Sequence, residues 1–206
     1  MALEIKICGM TNADDVRAAL DLGADYVGFV LYAKSPRGVT AGAMRRILDQ
    51  VAGVRAVGVF VNTPADEVAQ VADDCGLHAV QLHGDELPSA ARSGARRVWR
   101  AVRFSNGAWQ PDPAAWAVER FVVDAAVSGQ YGGTGVRADW AAAAALASRV
   151  PVMLSGGLRP DNVAEAIARV RPLGVDVASG VEREPGRKDP AAVAAFIRAA
   201  RAARSA

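Results

Sequence analysis

The feature that most constrains this chain is an alternation that keeps its period from one end to the other. Short apolar runs stand at Leu3 to Ile7, Tyr26 to Leu31, Ala56 to Val61, Ala79 to Leu82, Val98 to Val102, Phe121 to Val123, Val150 to Leu154 and Val175 to Ala178. Between them, helical spacing is read from Asp14 to Leu22, Ala41 to Val51, Ala65 to Cys75, Glu86 to Ser93 and Trp140 to Ser148. One further helix follows Arg159-Pro160, with Asp161 as the expected cap, and a final one runs from Pro190 to Arg204. Near-continuous apolar strands are what a parallel sheet covered by helices requires. Phe104 to Trp116 breaks the pattern with Pro111 and Pro113, so the fifth outer helix is expected to be degraded or replaced by loop. About eight strands close a barrel. The expected fold is therefore α/β, a single-domain (β/α)8 TIM barrel over residues 1–206.

Composition narrows the function classes. At 206 residues and 51% hydrophobic content the chain can bury one sizeable core. The net charge is only +2 and the arginines are dispersed, which argues against a nucleic-acid partner. No apolar run approaches the roughly 20 residues of a membrane span, and Met1 to Gly9 is too short and too charged for a signal peptide. A cytoplasmic protein without membrane association is expected. Cys8 and Cys75 are then expected to be reduced, with Cys75 in the core. His78 and His83 lack carboxylate or thiol neighbours at ligand spacing, so neither a metal nor another cofactor is expected.

The last third of the chain holds one device twice. Val150 to Leu154 ends in Ser155-Gly156-Gly157 before a helix, and Val175 to Ala178 ends in Ser179-Gly180 before Val181-Glu182. Glycines let backbone N–H groups approach a ligand, and a helix N-terminus favours negative charge. Either pair alone would be tight-turn punctuation. At the ends of consecutive strands, where such barrels commonly bind phosphate, the two predict one phosphate gripped by Gly156, Gly157, Ser179 and Gly180.

Active sites on this fold stand at the C-terminal ends of the strands. That rule gathers Cys8 after the first strand, Arg37 after the second, His83 after the fourth and Asp124 after the sixth at the mouth that holds the glycine turns. Several words along the chain are recognisable in order and spacing. Lys6-Ile7-Cys8-Gly9, Ser35-Pro36-Arg37, Gly58-Val59-Phe60-Val61-Asn62 and Val80-Gln81-Leu82-His83-Gly84 come first; Gly132-Gly133-Thr134-Gly135, Leu154-Ser155-Gly156-Gly157-Leu158 and Asp176-Val177-Ala178-Ser179-Gly180-Val181-Glu182 follow. Together they resemble the phosphoribosylanthranilate isomerases of tryptophan biosynthesis over nearly the whole chain. Two departures stand out: Ala125 to Tyr131 has no family word, and Ser155 replaces a frequent alanine.

The resemblance implies an Amadori rearrangement of N-(5-phosphoribosyl)anthranilate to 1-(2-carboxyphenylamino)-1-deoxyribulose 5-phosphate. It implies Cys8 as the base that removes the C2′ proton and Asp124 as the acid that protonates the ring oxygen. A thiol is often lowered near cations, which would favour the thiolate, whereas Asp124 must be raised, as desolvation and the substrate's anionic groups would promote. Arg37 is expected to pair with the anthranilate carboxylate, and Gly133 and Gly135 to extend the phosphate site. His83 either lines the ring site or finishes its strand with a satisfied hydrogen bond; Asp176 either contacts sugar hydroxyls or forms a structural ion pair. Another phosphosugar barrel enzyme and a non-catalytic phosphate-binding module are the alternatives. The first would show metal ligands or a lysine and glutamate pair, and the second would need no paired acid and base.

Overall fold

The structure, a computed structural model, describes residues 3–92, 97–125 and 137–205. Eight parallel strands close on themselves: β1 (Glu4–Cys8), β2 (Tyr26–Leu31), β3 (Ala56–Phe60), β4 (Ala79–Leu82), β5 (Arg97–Ser105), β7 (Arg120–Asp124), β8 (Val152–Leu154) and β9 (Gly174–Val177). The order runs β4-β3-β2-β1-β9-β8-β7-β5, and β4 pairs with β5 to complete the barrel. The eight-strand expectation is met within one or two residues at each end, except that β5 runs three residues past Val102 to Ser105.

Helices α1 (Ala13–Asp21), α2 (Ala41–Leu48), α3 (Ala65–Asp74), α4 (Trp140–Ala147), α5 (Val163–Val170) and α6 (Pro190–Ser205) cover the outside. Asn12, Thr40 and Asp139 cap α1, α2 and α4 by accepting backbone N–H bonds in the first turn. Asp161 does not cap α5 as expected. The flanking residue is Asn162, whose Oδ1 turns back to the Arg159 N–H, while Asp161 pairs with the Arg159 guanidinium.

The irregular side is wider than the prolines suggest. Between β4 and β5 the expected helix is only a 3-10 segment, Pro88–Arg92. After β5 no outer helix forms: β5 turns at Asn106-Gly107 into the antiparallel strand β6 (Ala108–Gln110), and a single 3-10 turn, Pro113–Ala115, follows. Asn106 and Gly107 have φ of 53° and 77°, the left-handed pair that a tight hairpin requires. The Asn-Gly dipeptide carried that signal.

Both faces of the eight barrel strands are buried along most of their length, which hides the two-residue period in the sequence. Val27, Val80, Val98, Phe121, Val123 and Val152 face the helices in the outer core. Their neighbours Tyr26, Val57, Ala79, Trp99, Val122 and Met153 form a separate cluster inside the barrel.

Candidate active site

The catalytic end of the barrel begins one layer above that inner cluster. The strand period puts Lys6 and Cys8, Gln81 and His83, and Val122 and Asp124 on the inward face in pairs. Lys6 is fully buried, and its Nζ donates to Asp176 Oδ2 at 3.0 Å and to Gln81 Oε1 at 3.1 Å. Gln81 Nε2 lies 2.8 Å from His83 Nδ1, and His83 Nε2 lies 3.2 Å from Asp124 Oδ2. Strands β1 and β4, like β4 and β7, are not neighbours in the sheet, so these contacts cross the lumen. Five polar side chains thus form one chain through the barrel, with Asp176 at one end and Asp124 at the other.

Asp124 and Asp176 both line a cleft with Ser155, Gly156, Gly157, Ser179 and Gly180. The carboxylates therefore face the same space as the two glycine turns. Gly156 and Gly157 have φ of 81° and 64°, and a Cβ on Gly156 would sit 2.7 Å from the Ala125 nitrogen. A Cβ on Gly180 would collide with the Leu158 carbonyl oxygen, so the second turn packs directly on the first. Ser179–Val181 forms a single 3-10 turn at the end of β9. Gly133 and Gly135 lie outside the described residues.

Cys8 ends β1 with 8% of its surface exposed. Burial pushes its thiol above the ordinary value; Lys6 and Lys188 pull it down, but Asp176 opposes them. The lowering expected from nearby cations is thus not found in the free site, because the sulfur is dry and the nearest cation is shared with a carboxylate. Lys6 itself stays a cation. Burial acts against its charge, and Asp176 and Cys8 outweigh that, leaving it above the ordinary lysine value.

Asp124 also departs from expectation. Burial pushes its carboxyl up, but the hydrogen bond from His83, the Ala125 N–H bond to Oδ1 at 2.8 Å and the Arg103 charge win, and it lies below the ordinary carboxylate range. The free site therefore holds a protonated thiol and an ionised aspartate. The His83 ring is bonded on both nitrogens, to Gln81 and to Asp124. Its carbonyl accepts from Arg103 Nη2 at 3.0 Å, which secures the strand end. Asp176 is an ion-pair partner through Oδ2, while its buried Oδ1 accepts no hydrogen bond from the described residues.

Arg37 is not an open loop cation. Its Nε and Nη2 make a two-point pair with Glu182, at 2.9 and 2.7 Å, and only 8% of the residue is exposed. Glu182 Oε1 also takes Lys188 Nζ at 2.8 Å, and the same ammonium donates to the Cys8 carbonyl at 2.6 Å. Sequence reasoning passed over Lys6, Gln81, Glu182 and Lys188. Lys6 and Gln81 stand two residues before Cys8 and His83, so strand alternation was a usable signal for them; Glu182 and Lys188 offered none.

A closed parallel barrel with a buried thiol ending its first strand, and a cleft that joins a buried carboxylate to glycine turns after the last two strands, is a (β/α)8-barrel enzyme acting on a phosphate-bearing small molecule. The family model for N-(5'phosphoribosyl)anthranilate (PRA) isomerase matches residues 5–199. The chain is 42% identical over 204 residues to the N-(5'-phosphoribosyl)anthranilate isomerase of Pelobacter propionicus, covering 98% of both. It is 45% identical over 213 residues to that of Myxococcus xanthus, covering 98% of this chain and 97% of the relative. The crystal structure of phosphoribosyl anthranilate isomerase from Thermotoga maritima superposes with a TM-score of 0.86 at 37% identity, over 97% of this chain and 99% of that one. A second solved structure, of the isomerase in complex with reduced 1-(o-carboxyphenylamino)-1-deoxyribulose 5-phosphate, gives 0.83 at 37% identity with the same coverage. This chain belongs to the N-(5'-phosphoribosyl)anthranilate isomerase family.

Proposed function

We infer that this chain converts N-(5-phosphoribosyl)anthranilate into 1-(2-carboxyphenylamino)-1-deoxyribulose 5-phosphate in tryptophan biosynthesis, as a one-barrel enzyme of the cytoplasm. The observation that carries the reading is that Asp124 shares one cleft with both glycine turns. In this reading the turns at Gly156-Gly157 and Ser179-Gly180 hold the 5-phosphate by backbone N–H groups. Asp124 gives a proton to the furanose ring oxygen as the C1′–O bond breaks and the anilino nitrogen lone pair forms the iminium. Cys8 removes the C2′ proton, and the C–H electron pair moves to form the enolamine, which becomes the ketone as C1′ gains a proton and the C2′ hydroxyl loses one. Asp176 accepts a hydrogen bond from a sugar hydroxyl through Oδ1, and Arg37 Nη1 meets the anthranilate carboxylate.

The protonation states of the free site bear on this scheme. The productive form needs a thiolate with a carboxylic acid, which has the same number of protons as the resting thiol with a carboxylate. It is the minor member of that pair until the substrate's anionic groups enter the cleft and raise Asp124. The direct test mixes purified protein with freshly made phosphoribosylanthranilate and follows the loss of anthranilate-type fluorescence. Turnover is expected; its absence would overturn the reading.

A further inference from the structure

We propose that Gln81 is a positioning residue that fixes the proton of His83 on Nε2, and that this keeps the acidic proton of Asp124 on the side of the cleft. The inference rests on the acid role given to Asp124 above. It starts from Lys6. An ammonium group offers donors only, so the atom of Gln81 that it meets at 3.1 Å must be the carbonyl oxygen. The amide nitrogen, itself a donor, then faces His83 Nδ1 at 2.8 Å, and that ring nitrogen must accept. The proton of the neutral imidazole is left on Nε2, which donates to Asp124 Oδ2 at 3.2 Å. Lys6 is fully buried and Gln81 is 1% exposed, so no bulk water competes for these bonds.

The tautomer has a chemical consequence at Asp124. Oδ1 accepts from the Ala125 N–H and Oδ2 from His83, so each oxygen has its protein-facing lone pair occupied by a donor. A proton gained by this carboxyl must sit on a remaining lone pair, and the residue lines the cleft. With the proton on Nδ1 instead, the Nε2 lone pair would face Oδ2 and accept the carboxylic proton, drawing it away from the substrate. Gln81 never touches substrate in this scheme. It selects which of two nearly equal ring forms stands behind the acid.

The chain has two histidines, His78 and His83, so the imidazole nitrogens of 15N-labelled protein give two sets of NMR signals, separated with a His78→Gln variant. In the wild type His83 is expected to show a protonated Nε2 and a bare Nδ1. Gln81→Met keeps the side-chain volume but removes the donor; it should lose that preference and lower kcat by about 10- to 100-fold with KM within about threefold. Gln81→Glu, which offers an acceptor to Nδ1, should move a proton onto Nδ1 and lower kcat further. The proposal is overturned if wild-type His83 carries its proton on Nδ1, or if Gln81→Met loses kcat while His83 keeps the proton on Nε2. The wild-type spectrum decides the first point even if neither variant folds. It is read on the free protein, so a wild type that fails to turn over phosphoribosylanthranilate would overturn the reaction assignment without touching the tautomer.

Discussion

The sulfur of Cys8 occupies the space that a side chain at Gly28 would need: a Cβ built there lies 2.6 Å from Sγ and 3.0 Å from Lys6 Cε. Gly28 pairs with Cys8 across β1 and β2, so the smallest residue on one strand makes room for the thiol on the next. Gly28→Ala is expected to displace both the thiol and the ammonium beside it. Misplacing a reacting group by about 1 Å can cost about 10²-fold in rate, and overpacking about 1–3 kcal/mol in stability. Steady-state kinetics and thermal unfolding measure the two effects; unchanged kcat would mean that Cys8 Sγ is not the base.

Replacing the thiol itself is the companion test. Cys8→Ser should fold and bind substrate nearly as the wild type does and lose at least about 10² in kcat, because a hydroxyl is a far poorer base than a thiolate. Asp124→Asn should fail on the closed furanose but recover, relative to wild type, on an analogue already opened to the imine. Cys8→Ser should fail on both. An Asp124→Asn defect equally deep on both substrates would remove the acid role.

The pH profile follows from the directions of the two shifts. With the Cys8 thiol above its ordinary range and Asp124 below its own, the productive thiolate and carboxylic acid pair is a constant fraction of the enzyme between the two titrations. kcat/KM is therefore expected to be flat from about pH 7, where the substrate phosphate with its second pKa near 6 is ionised, up to the alkaline limb set by Cys8. A narrow bell centred near neutrality would show instead that the free enzyme carries a low-pKa base and a high-pKa acid.

Glu182 holds two cations, Arg37 and Lys188, in a nearly dry site. Burial raises its carboxyl, but the Arg37 bond and the Lys188 charge outweigh that and bring it below the ordinary glutamate range. A depressed carboxyl stabilises the fold above its unfolded pKa, and that contribution is lost as pH falls through the folded value. Glu182→Gln leaves both cations uncompensated and is expected to destabilise by about 3–5 kcal/mol at neutral pH. In denaturant titrations the gap to wild type should shrink as the solution is acidified below the ordinary glutamate range.

Gly180→Ala probes the proposed phosphate role of the glycine turns while leaving Asp124 and Cys8 in place. Its Cβ would strike the Leu158 carbonyl oxygen, so the turn after β9 must move away from the turn after β8. A lost hydrogen bond to a charged group is worth about 1.5–3 kcal/mol, which corresponds to a rise of roughly 10- to 100-fold in KM and in the inhibition constant of inorganic phosphate. An unaltered inhibition constant would place the phosphate elsewhere.

Much of this protein was legible in order along the chain. The period of apolar runs requires a covered parallel barrel, and the barrel rule then places Cys8, Asp124 and the glycine turns at one mouth, because strand ends are set by local pattern. The hairpin β5–β6 was equally local, announced by Asn106-Gly107, while the prolines after it drew attention away from that signal.

What the chain could not announce are relations between residues far apart in sequence. Lys6 and Gln81 are separated by 75 positions and Lys6 and Asp176 by 170, and their bonds exist only because the closed sheet turns three strands toward one lumen. From the sequence Arg37 is expected to meet a carboxylate of the ligand; that Glu182, 145 positions later, already grips its fork is decided only by the fold. The protonation states followed the same rule. Residue types set the ordinary pKa values of Cys8 and Asp124, but burial and the neighbours brought in by closure moved the thiol up and the carboxyl down, because the cost of a charge depends on what surrounds it in space rather than along the chain.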